Sequence, residues 1–279
     1  MTFTKSIMAK NVSLHKAACL LILAVVLLSH ARLSIAQMVE KGLVSYWTFD
    51  KVDIEGDIAK DVWGKNDGKI VGPKIDTDLV NEALKFDGKD DYVNVTDFSS
   101  IDYAELTVEA RFKVNQTTSN GLVTQNQGDT GGGDFFNIYT SNNILRFGLR
   151  ASDNKTWHQP NKPFTDTKKW HHFIAVYNGK KSFFYLDGEL VAESSDFKIC
   201  QDAENLVRIG SRSSDFGRPV DGWIDEVLIY NRGLSPKEVE QNFDAEGLAV
   251  RPKKASCDLG QAKSFQIAFQ IEPINEKRC

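Results

Sequence analysis

Hydrophobic side chains recur at every second position through most of this chain, the pattern of strands with one buried face. Over residues 106–114 (LTVEARFKV), Leu106, Val108, Ala110, Phe112 and Val114 fall on one side, with Glu109, Arg111 and Lys113 on the other. Residues 42–50 (GLVSYWTFD) group Leu43, Ser45, Trp47 and Phe49 in the same way, and residues 85–95 read as a strand end, an Asp87-Gly88 turn and a second strand. Asn142-Asn143 separates strands at 136–139 and 144–149. Asn178-Gly179 separates 173–177 from 182–186, and Asp187-Gly188 turns the latter toward Leu190-Val191. Asn, Asp and Gly tolerate the positive φ that tight hairpin turns require.

One short helix interrupts this pattern near the end of the repeat of strands. Ser235 stands at its N-cap, Pro236 at the first helical position and Glu238 at the third, a capping box with proline where its missing N–H does no harm. Val239 and Phe243 supply an apolar stripe. Many short strands between Gly, Asn and Asp turns predict an all-β sandwich or jelly roll with a single C-terminal helix.

The two ends read differently. Residues 1–36 combine Lys5, Lys10, Lys16 and His15 with the apolar run 17–28 and a small-x-small signal at 34–36. That is the layout of a secretory signal peptide cleaved before Gln37, and the run is too short for a membrane span. Residues 37–250 form the β domain. Residues 251–279 are a tail in which Phe265, Ile267, Phe269 and Ile271 alternate as one extra strand.

Charge narrows the partners. Removing the leader takes away four bases and no acid, so the formal charge falls from −4 to −8, which disfavours nucleic acid and anionic membranes. Cys200, Cys257 and Cys279 remain. An odd number allows at most one internal disulfide; Cys257 and Cys279 are a plausible pair within the tail, with other pairings open. Asn94, Asn115 and Asn154 head glycosylation sequons.

Six short motifs then follow one another in order: residues 43–50 (LVSYWTFD), 83–88 (ALKFDG) with 91–93 (DYV), 170–173 (WHHF), 185–188 (YLDG), 209–210 (IG) and 222–235 (GWIDEVLIYNRGLS). The succession resembles the laminin-G-like jelly-roll domain of the concanavalin A-like lectin/glucanase superfamily and runs from about Gly42 to Leu248. The resemblance implies a two-sheet antiparallel sandwich in which a calcium ion is often held where the first and last strands meet. It implies no single activity, because one fold hosts many functions.

Candidate chemistry is weighed on residues. Asp225 and Glu226 are adjacent, so regular strand alternation sends them to opposite faces, where they cannot act on one glycosidic bond. Nothing resembles a nucleophile elbow, and the Gly-rich run 129–134 lacks the lysine of a phosphate-binding loop. Alternation places Asp225 with Trp223, Val227 and Ile229 on a buried face. There it needs backbone donors, an arginine such as Arg208 or Arg218, or a calcium ion shared with Asp50, which the resemblance sets beside it. The cluster Asp87, Asp90 and Asp91 reads as a turn. For a ligand, Trp157 in the polar stretch 153–159 is the candidate sugar platform, the alternative being a loop plug. Gln125, Asn137, Tyr139, Arg146 and Arg150 supply amide and guanidinium donors for the same face. The expected protein is a secreted or cell-surface, non-enzymatic module that binds carbohydrate or an extracellular protein, with structural calcium. The competing classes are a hydrolase with carboxylates drawn from distant strands, and a purely structural or adhesive component.

Overall fold

The computed structural model describes residues 37–77, 82–96, 98, 104–127, 134–201, 203–212 and 217–245. The leader, the tail strand and the proposed Cys257–Cys279 pairing lie outside these residues, as does most of the Gly-rich run.

Two antiparallel sheets face each other. The first runs, edge to edge, through Glu189–Glu193, Ser182–Leu186, His171–Tyr177, Leu106–Val114, Asp221–Tyr230, Glu82–Asp87 and Lys74–Thr77, with Leu43–Trp47 also paired to Asp221–Tyr230. The second runs through Trp157–His158, Ile144–Arg150, Asp134–Ser141, Ser119–Gln127, Ala203–Ile209, Tyr92–Val95, Gly68–Val71, Ile58–Ala59 and Ile54–Glu55, with Asn161–Pro163 also on Ile144–Arg150. Inward residues of both sheets make one core. The strand at 106–114 sends all five of its alternating apolar side chains there, to meet Val123, Phe136 and Phe147 from across the sandwich. Each buried aromatic or aliphatic side chain of this kind contributes about 1.5–3 kcal/mol.

The turns follow from local chemistry. Asn142 and Asn143 sit at φ 51° and 61°, and Asp187 and Gly188 at φ 51° and 80°, the left-handed pairs of a type I′ hairpin. The helix spans Pro236–Ala245. Ser235 Oγ accepts the Glu238 amide at 3.4 Å and Glu238 Oε2 accepts the Ser235 amide at 2.8 Å, completing the capping box. Arg232 grips the same carboxylate with two nitrogens at 2.9 and 2.7 Å and, with the Ser235 bonds, holds its pKa down at about 2. Among the described residues no helix is long and apolar enough to cross a membrane.

The outer face of the first sheet is also covered. Val39, Leu43, Tyr46, Leu228, Tyr230 and Val239 pack there, bringing the helix and the N-terminal segment down onto the strands. Glu109 and Arg111 point outward as the alternation predicts, yet both are buried beneath this layer. Glu109 Oε1 lies 2.9 Å from His172 Nε2, and its other oxygen accepts from Asn242 Nδ2 at 2.6 Å; Asn242 Oδ1 in turn accepts the Val39 amide at 2.7 Å. The carboxylate thus ties sheet, helix and N-terminal segment together.

Regular alternation fails at one place, and the failure corrects the reading of Asp225. The last strand bulges between Asp225, opposite Arg111, and Leu228, opposite Glu109, with Glu226 at φ 51°. An extra residue in a bulge reverses the facing of everything beyond it. Ile224, Val227 and Ile229 enter the core, whereas Asp225 turns to the outer face beside Arg111. Glu226 turns the same way and accepts a short hydrogen bond from the Tyr46 hydroxyl. The two acids therefore share a face instead of opposing each other.

Candidate functional site

The outer face of the second sheet gathers most of the predicted ligand residues. Tyr139 stands opposite Arg146, Asn137 opposite Gly148 and Arg150 opposite Trp157 across three neighbouring strands. Trp157 is presented by a turn built on Asp153. That carboxylate accepts the Lys155 and Thr156 amides at 2.9 and 2.8 Å and the Thr156 hydroxyl at 2.5 Å, which lowers its pKa to about 2. The turn delivers the half-buried indole onto the sheet, where the Arg150 guanidinium lies 4.3 Å from its ring centre. Gly148 makes room for it. A Cβ there would overlap Asn137 Oδ1 and come within 3.1 Å of the indole.

Asn137 is oriented from below. Asp134, fully buried, accepts from Asn137 Nδ2 at 3.0 Å and from Arg212 Nε at 2.8 Å. A carboxylate only accepts, so the amide nitrogen faces it and the carbonyl oxygen faces away. Asn137 Oδ1 and Arg150 Nε are both buried without a hydrogen-bond partner among the described residues. Buried polar atoms left open in this way lose the solvation a ligand can restore. Burial lowers the pKa of Arg150, offset in part by Asp134, and the guanidinium stays charged.

Tyr139 forms the second aromatic element. Its ring is capped by Arg218 at 4.2 Å and flanked by Arg146 at 5.6 Å, and its hydroxyl accepts from Gln159 Nε2 at 3.1 Å. Beside Trp157 an open groove of about 340 Å³ runs along Gln159, Pro160 and Asn161 to Ala192–Ser195 on the edge of the first sheet.

Two predicted placements are corrected. Gln125 pairs with Phe136 and Val207, both core residues, so it faces the interior and is fully buried. Arg208 and Arg218, offered as partners of Asp225, lie on the outer face of the second sheet instead. Arg208 Nε donates to Asn94 Oδ1 at 2.8 Å and its guanidinium lies 5.1 Å from the Tyr92 ring. Asp134 and Arg212 were not singled out by the sequence, and Arg218 was assigned to Asp225, because each lies outside a clear alternating run. Arg208, flanked by Val207 and Ile209, was readable as outward-facing.

The laminin G model described as the concanavalin A-like lectin/glucanases superfamily matches residues 87–240, more than half of the chain. The chain belongs to this superfamily. No curated protein matches it. Among solved structures, this concanavalin A-like chain is similar to a Trypanosoma rangeli sialidase in complex with a difluorinated keto-deoxynononic acid. The TM-score is 0.61 at 16% identity, over 76% of this chain and 34% of that one. The binding domain of a paraclostridial mosquitocidal protein gives 0.58 at 16%, over 72% and 52%. The binding domain of botulinum neurotoxin DC, in complex with a sialylated ligand, gives 0.56 at 14%, over 74% and 52%. The chain thus spans about a third of the sialidase and half of each toxin domain, and at these identities the likeness concerns the fold.

The superfamily's first and last strands do meet here, with Trp47 opposite Val227. Asp225 and Asp50 have different described partners near that meeting point. Asp225 is 1% exposed and ion-paired to Arg111 at 3.6 Å, so a cation already occupies its surroundings. Asp50, also buried, accepts the Glu82 amide at 3.3 Å, while Glu82 accepts the Lys51 amide. Among the described residues, the three acids whose oxygens come within 4.8 Å of one another are Asp87, Asp90 and Asp91. Asp91 accepts the Asp87 amide and Asp87 the Lys89 amide, consistent with a turn. Cys200 is buried, its sulfur 2.7 Å from Asn154 Oδ1.

Proposed function

We propose that this chain is a non-enzymatic carbohydrate-binding module of an exported protein, with its binding site on the outer face of the second sheet around Trp157. The observation that carries the reading is the set of Trp157, Arg150 and Asn137. A half-exposed indole beside an open groove adjoins a donor and an acceptor, both buried and both without a protein partner. Sugars offer apolar faces for stacking and hydroxyls that donate and accept, which suits such a mixture. Two structural relatives are complexed with sialylated or sialic-acid-like ligands, which agrees with a saccharide partner. Export rests on the leader sequence. A binding role is supported over catalysis by the burial of Asp225, which no substrate reaches.

The test is a glycan array followed by titration calorimetry of the strongest binder. Trp157→Ala is expected to weaken that binding at least about tenfold, as central aromatic anchors do. Glycan binding that survives this substitution unchanged would move the site elsewhere. We extend the proposal to a structural calcium ion with Asp50 among its ligands, Asp225 being held by Arg111. Added Ca²⁺ is expected to raise the melting temperature, and Asp50→Asn to abolish the rise. A melting temperature indifferent to both Ca²⁺ and EDTA removes calcium from the proposal.

A further inference from the structure

We infer that the ligand of this face is an acidic saccharide, its carboxylate or sulfate groups held by Arg146, Arg150 and Arg218. The inference rests on the carbohydrate-binding reading above and names its substrate class. The chain as a whole is acidic, with 34 basic residues against 38 acidic ones. Against that background, five arginines converge on this single face, Arg146, Arg150 and Arg208 from strands and Arg212 and Arg218 from the loop before Asp221–Tyr230. Of these, Arg212 is neutralised by Asp134 at 2.8 Å, and Arg208 is engaged with Asn94 and the Arg212 carbonyl.

The other three have no carboxylate within salt-bridge distance among the described residues. Arg146 donates only to the Ser141 and Ile144 carbonyls, at 2.7 and 3.3 Å, and Arg218 caps the Tyr139 ring. Arg150 lies on Trp157 with its Nε unpartnered. Each guanidinium thus lies near an aromatic ring, Arg146 and Arg218 at Tyr139 and Arg150 at Trp157, a contact that lowers the entropy the side chain loses on binding. The planar fork that remains matches a carboxylate or sulfate with two parallel hydrogen bonds. Arg146 and Arg150 are four residues apart on one strand, about 13 Å along its axis. Two anion positions so separated fit charges on different residues of an oligosaccharide better than one small anion.

The experiment compares the full chain binding oligogalacturonate (carboxylate only), dextran sulfate (sulfate only), unmodified dextran and single-stranded DNA. One or both acidic saccharides are expected to bind, whereas dextran and DNA do not. Whichever acidic polymer binds identifies the anion. Raising salt from 50 to 500 mM should weaken binding by about tenfold or more through screening. Arg150→Gln and Arg218→Gln should each weaken it about tenfold, with Arg218→Lys intermediate, since lysine keeps the charge and loses the fork. Equal binding of DNA, or of dextran sulfate to the Arg150→Gln/Arg218→Gln variant, would show general ion exchange and overturn the inference. Neutral glycans bound through Trp157 with no effect of the arginine substitutions would also overturn it, leaving the carbohydrate reading intact. No binding to any glycan on the array or in this set would remove both. Unchanged melting temperatures for the variants would certify that folding is not the variable.

Discussion

Arg111→Ala is expected to destabilise the protein by about 3–5 kcal/mol, a large part of the 5–15 kcal/mol that holds a typical domain together. Arg111 and Asp225 are 4% and 1% exposed and face each other across the last strand and its neighbour. Removing the guanidinium takes from Asp225 its buried ion-pair partner beneath the covering layer. It also strips the cation from the Trp170 ring, 5.1 Å away. Net favourability of the pair is a separate matter. Desolvating two ions costs several kcal/mol each, so the double replacement Arg111→Met/Asp225→Leu should recover most of the loss. Urea denaturation of both variants reads the difference. A cost below about 1 kcal/mol for Arg111→Ala would mean that Asp225 finds its compensation elsewhere.

Gly210→Ala should be comparably harmful, by about 2–6 kcal/mol, for two separable reasons. Gly210 adopts φ 88°, where a side chain is strained by roughly 1–3 kcal/mol. A Cβ there would also overlap Phe86 Cε1 and lie 2.5 Å from Cδ1, and Phe86 is buried in a close-packed core. Overpacking of this kind costs about 1–3 kcal/mol more. The residue cannot simply swing away. Its amide donates to the Leu122 carbonyl at 2.9 Å and its carbonyl accepts the Val220 amide at 2.8 Å. Gly210→Ala combined with Phe86→Leu should relieve the steric part and leave the backbone part. A double variant less stable than Gly210→Ala by the full cost of Phe86→Leu alone would show that the two residues do not collide.

The outer face of the second sheet shows how far residue patterns reach. Asn137, Tyr139, Arg146, Arg150 and Trp157 were legible as a group because outward residues on paired strands necessarily share a side. The hairpin at Asn142-Asn143 fixed which residues pair. Gln125 was misplaced because its strand carries register shifts against Asp134–Ser141, and each shift changes which face a residue meets. Asp225 and Glu226 were misassigned for the same reason. Bulges usually announce themselves with glycine, and here a glutamate takes the left-handed conformation, held by the Tyr46 hydroxyl.

Local patterns therefore determined the strands, the type I′ turns, the capped helix and the superfamily, because each depends on residues near one another in the chain. Tertiary structure alone decided the partner of Asp225, the inward turn of Gln125 and the gathering of Arg146, Arg150 and Arg218 on one surface. Those outcomes depend on register between strands as far apart in sequence as those of Arg111 and Asp225. A one-residue slip costs the local pattern nothing, yet it reverses every side chain beyond it.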